Sequence, residues 1–112
     1  MDQLTNYFKL LSDETRLRIM VLLYHNEFCV CQITGISQPN VSKHLARLRD
    51  MGLVKDEKNE QYTFYSLNIE NKLFVDILEK IVSNVENYPI LKSDIEKSKA
   101  AAKYIELASM NK

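Results

Sequence analysis

Short polar and basic side chains recur along the stretch from Ser37 to Val54. Their amide, hydroxyl and ammonium groups can reach the edges of DNA bases, and the guanidinium groups that follow them suit phosphates. We expect base edges to be contacted by Gln38, Asn40, Ser42 and Lys43. We expect the DNA backbone to be held by Arg47, Arg49 and Lys58. The pattern predicts binding of double-stranded DNA.

Helical spacing places most of these groups on one element. Apolar residues recur every three or four positions, as one face of a helix requires: Val41, Leu45 and Leu48. Ser37 is suited to cap the start of this helix, and Pro39 is tolerated in its first turn. Gly52 ends it. The segment therefore has the features of the recognition helix of a helix-turn-helix.

Cys29 and Cys31 are the two cysteines of the chain, and thiolates select soft ions. Residues two apart in a regular helix point about 200° away from each other. Both sulfurs therefore reach one ion only at a frayed helix start or in extended structure. Two thiolates suit a monosubstituted organoarsenical, whereas inorganic As(III) or Sb(III) needs a third ligand. Two alternatives stay open: cysteines that fill space in the core, and a disulfide that acts as a redox signal.

Composition limits the class of protein. The chain has 112 residues, enough for one domain, and its formal net charge is zero, which neither requires nor excludes a DNA partner. Its apolar runs are shorter than the ~20 residues that cross a bilayer, and the first residues lack a basic signal-peptide region. We expect a soluble cytoplasmic protein with no membrane association. The sequence has no Gly-rich phosphate loop, no paired-acid motif and no cysteine with a well-placed base. We therefore do not expect an enzyme.

The flanking elements follow from periodicity and turn residues. A short amphipathic first helix is indicated by Leu4, Tyr7, Phe8 and Leu11. The triplet Ser12-Asp13-Glu14, with a capping hydroxyl and two acids, predicts the start of a second helix that runs from Thr15 to about Tyr24. Two strands, Leu53–Lys58 and Tyr62–Leu67, are expected to form a hairpin around Asn59-Glu60. That hairpin is the wing of a winged helix.

The C-terminal third is expected to be helical. A wide apolar stripe runs through Leu73, Phe74, Ile77, Leu78, Ile81, Val82 and Val85. Pro89 interrupts it, and Ser93 with Glu96 predicts a capping box that starts a last helix. The lysines of that helix are offset by acids, which indicates a solvated face: Lys97, Lys99 and Lys103 against Asp94, Glu96 and Glu106.

A second copy of the chain would bury the C-terminal stripe, and a two-fold dimer would match a palindromic operator. The predicted dimer interface contains Leu4, Phe8, Phe74, Ile77, Leu78 and Ile81. The alternative is that the helix packs back on its own domain. The sequence thus predicts one domain, 1–112, that is mainly α with a small β-hairpin. It comprises a winged helix-turn-helix core at 4–69 and dimerising C-terminal helices at 70–112.

Four motifs in this order resemble the ArsR/SmtB repressors. They are Leu11–Leu17, Glu27–Cys31, Ser37–Val54 and Tyr65–Leu67, and the resemblance covers roughly residues 4 to 68. It implies a homodimeric winged-helix repressor that binds its operator when empty. Such a repressor leaves the operator when a metal or metalloid ion binds thiolates, here Cys29 and Cys31. The resemblance implies no cofactor for folding and an arsenic or antimony species as effector.

The chain departs from the family pattern in three places. Thr34 stands where arsenic sensors often carry a third cysteine, and the stretch from Cys31 to Ser37 is about three residues short of the expected pattern. Glu60 and Gln61 stand where the wing tip usually has Gly and Arg. These departures, with the neutral net charge, keep a second function open. That function is a protein-interaction module on a winged-helix scaffold with weak or lost DNA binding.

Overall fold

The computed structural model describes residues 2–25, 28–29, 38–59 and 62–110, with side chains at 3–25, 39–58 and 63–99. The helices are α1 (Asp2–Leu11), α2 (Glu14–His25), α3 (Gln38–Asp50), α4 (Lys72–Ser83) and α5 (Pro89–Met110), with a short 3-10 turn at Val85–Asn87. The strands are β1 (Phe28–Cys29), β2 (Val54–Asn59) and β3 (Tyr62–Leu67). The mainly helical fold with a hairpin is as the sequence predicts.

The sheet contains one more strand than the expected two-stranded hairpin. β1 pairs antiparallel with β3, so the sheet order is β1-β3-β2, with Cys29 opposite Phe64. The β2 and β3 strands pair from Val54 opposite Leu67 to Asn59 opposite Tyr62. The expected turn at Asn59-Glu60 is therefore wrong by one residue, because Asn59 is still paired. Glu60 and Gln61 lie outside the described residues.

The core is built around α2, which has an uninterrupted buried run from Ile19 to Leu23. Such a run leaves no solvated face in the middle of the helix, so other helices must cover α2 on several sides. α1, α3, α4 and α5 all contact it. The buried apolar residues that they contribute are Tyr7, Leu10, Val41, Leu45, Leu48, Phe74, Leu78, Leu91 and Ile95. The C-terminal helices thus share one core with the helices before the wing.

The junction of α1 and α2 is fixed by side-chain caps. Asp13, rather than the expected Ser12, caps α2: its Oδ1 accepts from the backbone N–H of Arg16 at 3.0 Å. Ser12 faces the other way and donates its hydroxyl to the carbonyl of Lys9 at 2.7 Å. The capping hydroxyl of the prediction is therefore corrected to a capping carboxylate, which also suits the positive end of the helix dipole.

Two residues of the predicted dimer interface lie inside a single chain. Phe74 and Leu78 are both 0% exposed, and the Phe74 ring stacks on Tyr7 of α1 with centroids 4.1 Å apart. Neither residue has any surface left for a partner, so this part of the predicted interface is corrected. The stripe of α4 is wide enough to serve two purposes: one edge packs on α1 and α2, and the other edge carries Leu73, which is 54% exposed.

The last helix begins earlier than the capping box predicts. α5 starts at Pro89, and the carbonyl of Tyr88 accepts the first helical bond from Lys92 N at 3.1 Å. Proline needs no N–H partner at the first helical position, so it starts this helix rather than merely interrupting the stripe. Ser93 lies one turn inside the helix, and the predicted start there is wrong.

A buried ion pair joins α5 to α2. Arg18 donates to both carboxylate oxygens of Asp94, at 2.7 and 2.8 Å, and the Asp94 side chain is only 5% exposed. This bidentate pairing raises the pKa of the Arg18 guanidinium further above its ordinary value. The expectation that Asp94 belongs to a solvated face is therefore wrong: it lies beside Leu91 and Ile95 on the packed side of α5.

Candidate nucleic-acid interface

α3 has one buried face and one exposed face, as a recognition helix needs. Val41, Leu45 and Leu48 are at most 1% exposed. The other side presents the candidate DNA-contacting residues Asn40, Ser42, Lys43, Arg47 and Arg49, all of which are exposed. Gln38 lies in the first turn of α3, and its side chain, like Ser37, lies outside the described residues. A helix of this kind can enter the DNA major groove without exposing the core.

The end of α3 fixes how the wing leaves it. Gly52 has a φ of +79°, a conformation that glycine adopts without strain. Gly52 N donates to Arg49 O at 2.9 Å, and Leu53 N donates to Leu48 O at 3.0 Å, which together form a Schellman motif. Leu48 and Leu53 are both buried, as the apolar contact of that motif requires. The glycine thus turns the chain directly from α3 into β2.

This turn brings Arg49 against the wing. Its Nη1 lies 3.2 Å from Asp56 Oδ2 on β2, and its Nε lies 3.9 Å from Asp50 Oδ1. In the free protein, the Arg49 guanidinium therefore makes ion pairs with two carboxylates. Sequence reasoning expected Arg49 to hold phosphate and missed this pairing. The sequence contains a signal for this pairing. Arg49 and Asp56 stand on either side of Gly52, and a tight turn at Gly52 brings their charges together.

The wing presents mixed charge. Lys55, Asp56, Glu57 and Lys58 are all exposed along β2. Lys58, the predicted backbone contact, lies opposite Thr63 near the end of the described hairpin. Among the described residues Lys58 makes no ion pair, so its ammonium is available to a phosphate.

His44 lies on the flank of α3 that faces the start of α2, and it is half-buried. Asp13 receives the N–H of Arg16, and the nearby charges of Arg16 and His44 act in the same direction, so the pKa of Asp13 lies below its ordinary value. Among the side chains that the structure describes, no group of three His, Cys, Asp or Glu could hold a metal ion.

The cysteine pair is only partly within the described structure. The backbone of Cys29 is extended in β1 and pairs with β3 beside Phe64, while Cys31 and Thr34 lie outside the described residues. Extended backbone places side chains two residues apart on the same face. Cys29 thus lies in extended backbone, and the binding of one ion by both sulfurs stays a prediction.

Comparisons with known proteins agree with this arrangement. The profile of bacterial regulatory proteins of the arsR family matches residues 13–56. The arsenic resistance transcriptional regulator ArsR1 of Pseudomonas putida KT2440 is 40% identical over 77 residues, which cover 65% of this chain and 60% of that protein. The arsenical resistance operon repressor of Staphylococcus xylosus is 37% identical over 81 residues, covering 70% of this chain and 75% of that protein. The crystal structure of the transcriptional regulator HlyU from Vibrio vulnificus CMCP6 has a TM-score of 0.64 at 30% identity, covering 73% of this chain and 86% of that one.

The chain belongs to the arsR family of bacterial regulatory proteins. This confirms the resemblance, the winged helix-turn-helix fold and the expectation of a regulator rather than an enzyme. The chain spans between 56% and 60% of the length of the arsenic resistance regulators that it matches in Pseudomonas putida and Escherichia coli. Within the described residues, no helix is long and apolar enough to cross a membrane.

Proposed function

We propose that the protein is a cytoplasmic transcriptional repressor that binds a palindromic operator as a homodimer and leaves it when a thiophilic effector binds Cys29 and Cys31. The observation that carries the proposal is the exposed polar and basic face of α3, held rigidly by a fully buried opposite face. The names of the relatives point to arsenic as the effector element.

The proposed DNA contacts are of two kinds, those with base edges and those with the sugar-phosphate backbone. Gln38, Asn40, Ser42 and Lys43 read base edges in the major groove. Arg47 and Lys58 hold the backbone, since both cations are exposed and make no ion pair with the residues that the structure describes. Arg49 is also proposed to hold the backbone, because its ion pair with Asp56 is exposed and therefore weak enough to be exchanged for a phosphate.

The proposed dimer forms through the exposed edge of α1 and α4. Phe8 is 55% exposed and Leu73 is 54% exposed, and Leu4, Ile77 and Ile81 are partly exposed on the same two helices. Asn71 at the start of α4 donates to Gln3 of α1 at 3.2 Å, which ties the two helices together. A second copy would cover these side chains, whose exposure as a patch is unfavourable in water. Substituting Phe8 with Asp is expected to convert the dimer to a monomer in sedimentation equilibrium.

The proposed release mechanism runs through β1. A soft ion held by Cys29 and Cys31 would pull on a strand that is hydrogen-bonded to β3 of the wing. The same segment leads into α3. Distortion of this segment would therefore change both the wing and the presentation of α3, which together define the DNA-binding surface. A monosubstituted organoarsenical needs only two thiolates, whereas As(III) or Sb(III) would need one further ligand.

The test is fluorescence anisotropy on a labelled duplex from the region upstream of the protein's own gene. The reduced wild type is titrated with arsenite, phenylarsine oxide, antimonite and peroxide, and compared with a Cys29→Ser/Cys31→Ser variant. We expect an arsenic or antimony compound to release the wild type while the variant stays bound. Release of the variant by the same compound would refute the cysteine site. Release by peroxide alone would favour the redox-sensing alternative, and no binding to DNA would favour the interaction module.

A further inference from the structure

A basic cavity of about 310 Å³ lies on the flank of α3 that faces α1 and α2. Its lining residues are Asn6, Lys9, Leu10, Arg16, Arg47 and Met51. Three of the six are cations and none is acidic. In a protein with a formal net charge of zero, this is a local concentration of positive charge, and such a concentration attracts anions.

The guanidinium of Arg16 is held in place at the floor of this cavity. Its Nε donates to Leu10 O at 2.9 Å and its Nη2 donates to Lys9 O at 3.3 Å, both at the C-terminal end of α1. A guanidinium has five N–H donors, so these two bonds leave donors for a ligand. The carboxylate of Asp13 is not among the residues that line the cavity, and it caps α2 through the backbone N–H of Arg16.

Lys9 and Arg47 form the rim of the cavity from α1 and α3. Both side chains are exposed, and neither makes a hydrogen bond or ion pair with the residues that the structure describes. Two exposed cations that line the same cavity as Arg16 can contact one anionic group together with it. Arg47 also lies on the exposed face of α3, so the cavity is continuous with the proposed DNA-binding surface.

The geometry of a helix in the major groove identifies the anion. A helix with its side chains is about 10–12 Å wide and the groove is about 12 Å wide, so a sugar-phosphate backbone lies along both flanks. Arg47 and Arg49 are two residues apart and therefore lie on roughly opposite flanks of α3. The Arg49 flank faces the wing and its charge is shared with Asp56. The Arg47 flank opens on the cavity.

We propose that this cavity binds a backbone phosphate of the operator, held by Lys9 and Arg16 together with Arg47, on the flank of α3 away from the wing. The inference rests on the proposed function, because it assumes that α3 lies in a DNA groove. It assigns α1 and the start of α2 a direct part in DNA binding. It gives a chain whose formal net charge is zero a local group of three cations beside α3.

The test compares Lys9→Gln with Lys97→Gln. Both variants remove one exposed lysine, but Lys97 lies on α5, away from the cavity. Operator affinity is measured by anisotropy across a salt series, with thermal melting to verify that both variants fold. Losing one phosphate contact lowers the slope of log K against log salt by about 0.9, so the affinity ratio of wild type to Lys9→Gln should fall about 3.5-fold between 50 and 200 mM salt. The Lys97→Gln variant should keep the wild-type slope.

The possible outcomes separate this inference from the proposed function. A wild type that fails to bind the operator overturns both. A wild type that binds, with Lys9→Gln and Lys97→Gln giving the same slope, overturns the cavity assignment alone. A third measurement addresses a free anion: if inorganic phosphate stabilises the wild type but not Lys9→Gln, while their DNA salt slopes agree, the cavity binds a free anion and the DNA assignment is wrong.

Discussion

Removing the carboxylate of Asp94 should destabilise the fold substantially, because it leaves Arg18 without its buried partner. Two unit charges about 4 Å apart attract by about 4 kcal/mol at an effective dielectric constant of 20. Breaking a buried pair by removing one partner costs about 3–5 kcal/mol. The Arg18 side chain is 17% exposed and can turn partly into water, so the lower end of that range applies. We expect Asp94→Ala to lower the free energy of unfolding by about 3 kcal/mol.

The assay is urea and thermal unfolding followed by circular dichroism. At about 4 °C per kcal/mol for a chain of this size, the midpoint of thermal unfolding should fall by about 12 °C. Glu96→Ala, an exposed residue on the same helix, is the matched control and should change stability by no more than about 0.5 kcal/mol. A double variant, Arg18→Met with Asp94→Leu, should recover most of the loss, because an apolar pair needs no desolvation of charge. A loss below about 1 kcal/mol for Asp94→Ala would refute the reasoning.

Three further substitutions test separate features. The pKa of Asp13 is lowered in the folded state, so its charge contributes stability that is fully present above the unfolded pKa of about 4 and is lost as pH falls through the folded value. In urea unfolding, the advantage of the wild type over Asp13→Asn, which keeps the cap, should therefore begin to shrink near pH 4 and disappear only below the lower folded pKa. At Gly52 a Cβ would meet no atom within 4 Å, so Gly52→Ala should cost only the left-handed conformation, about 1–2 kcal/mol; a neutral result in thermal melting would contradict that. Arg47→Gln should weaken binding to all DNA sequences alike and lower the salt slope by about 0.9, whereas a change of sequence preference in competition assays would assign Arg47 to base reading.

The recognition helix and the wing could be predicted from the sequence because their signals are local. Apolar spacing located the buried face of α3, and Gly52 located its end within one residue. The aromatic and β-branched residues of the second strand, Tyr62 to Tyr65, located the hairpin. The third strand, β1, could not be predicted, because two residues carry no periodicity and their strand character depends on pairing with β3.

The C-terminal helices were predicted less well because their roles depend on distant residues. Phe74 belongs to an apolar stripe whatever it packs against, and only the fold places it on Tyr7 of α1. Asp94 resembles any acid on a charged helix, and its partner Arg18 is 76 positions away in the chain. The start of α5 differs from the prediction because Pro89 is its first helical residue rather than a break.

Part of the candidate site could be predicted from local sequence, and part depends on contacts between distant residues. That the polar groups of α3 are exposed follows from the helical period alone. The helical period does not show which cations of α3 make ion pairs, because the pairing of Arg49 with Asp56 depends on how the wing folds back onto α3. The cavity beside Arg47 depends on three elements, and no sequence pattern shows that Lys9 and Arg16 come together with Arg47.

A competition experiment tests most directly whether α3 recognises a specific DNA sequence. The reduced protein is bound to a labelled palindromic duplex from its own upstream region, near physiological salt. Unlabelled duplexes of the same and of shuffled sequence then compete, with wild type and Gln38→Ala in parallel. We expect the wild type to prefer its operator by about 10³-fold or more. We expect Gln38→Ala to lose part of that preference while keeping its affinity for shuffled DNA. Equal competition by both duplexes would show that α3 does not recognise a DNA sequence.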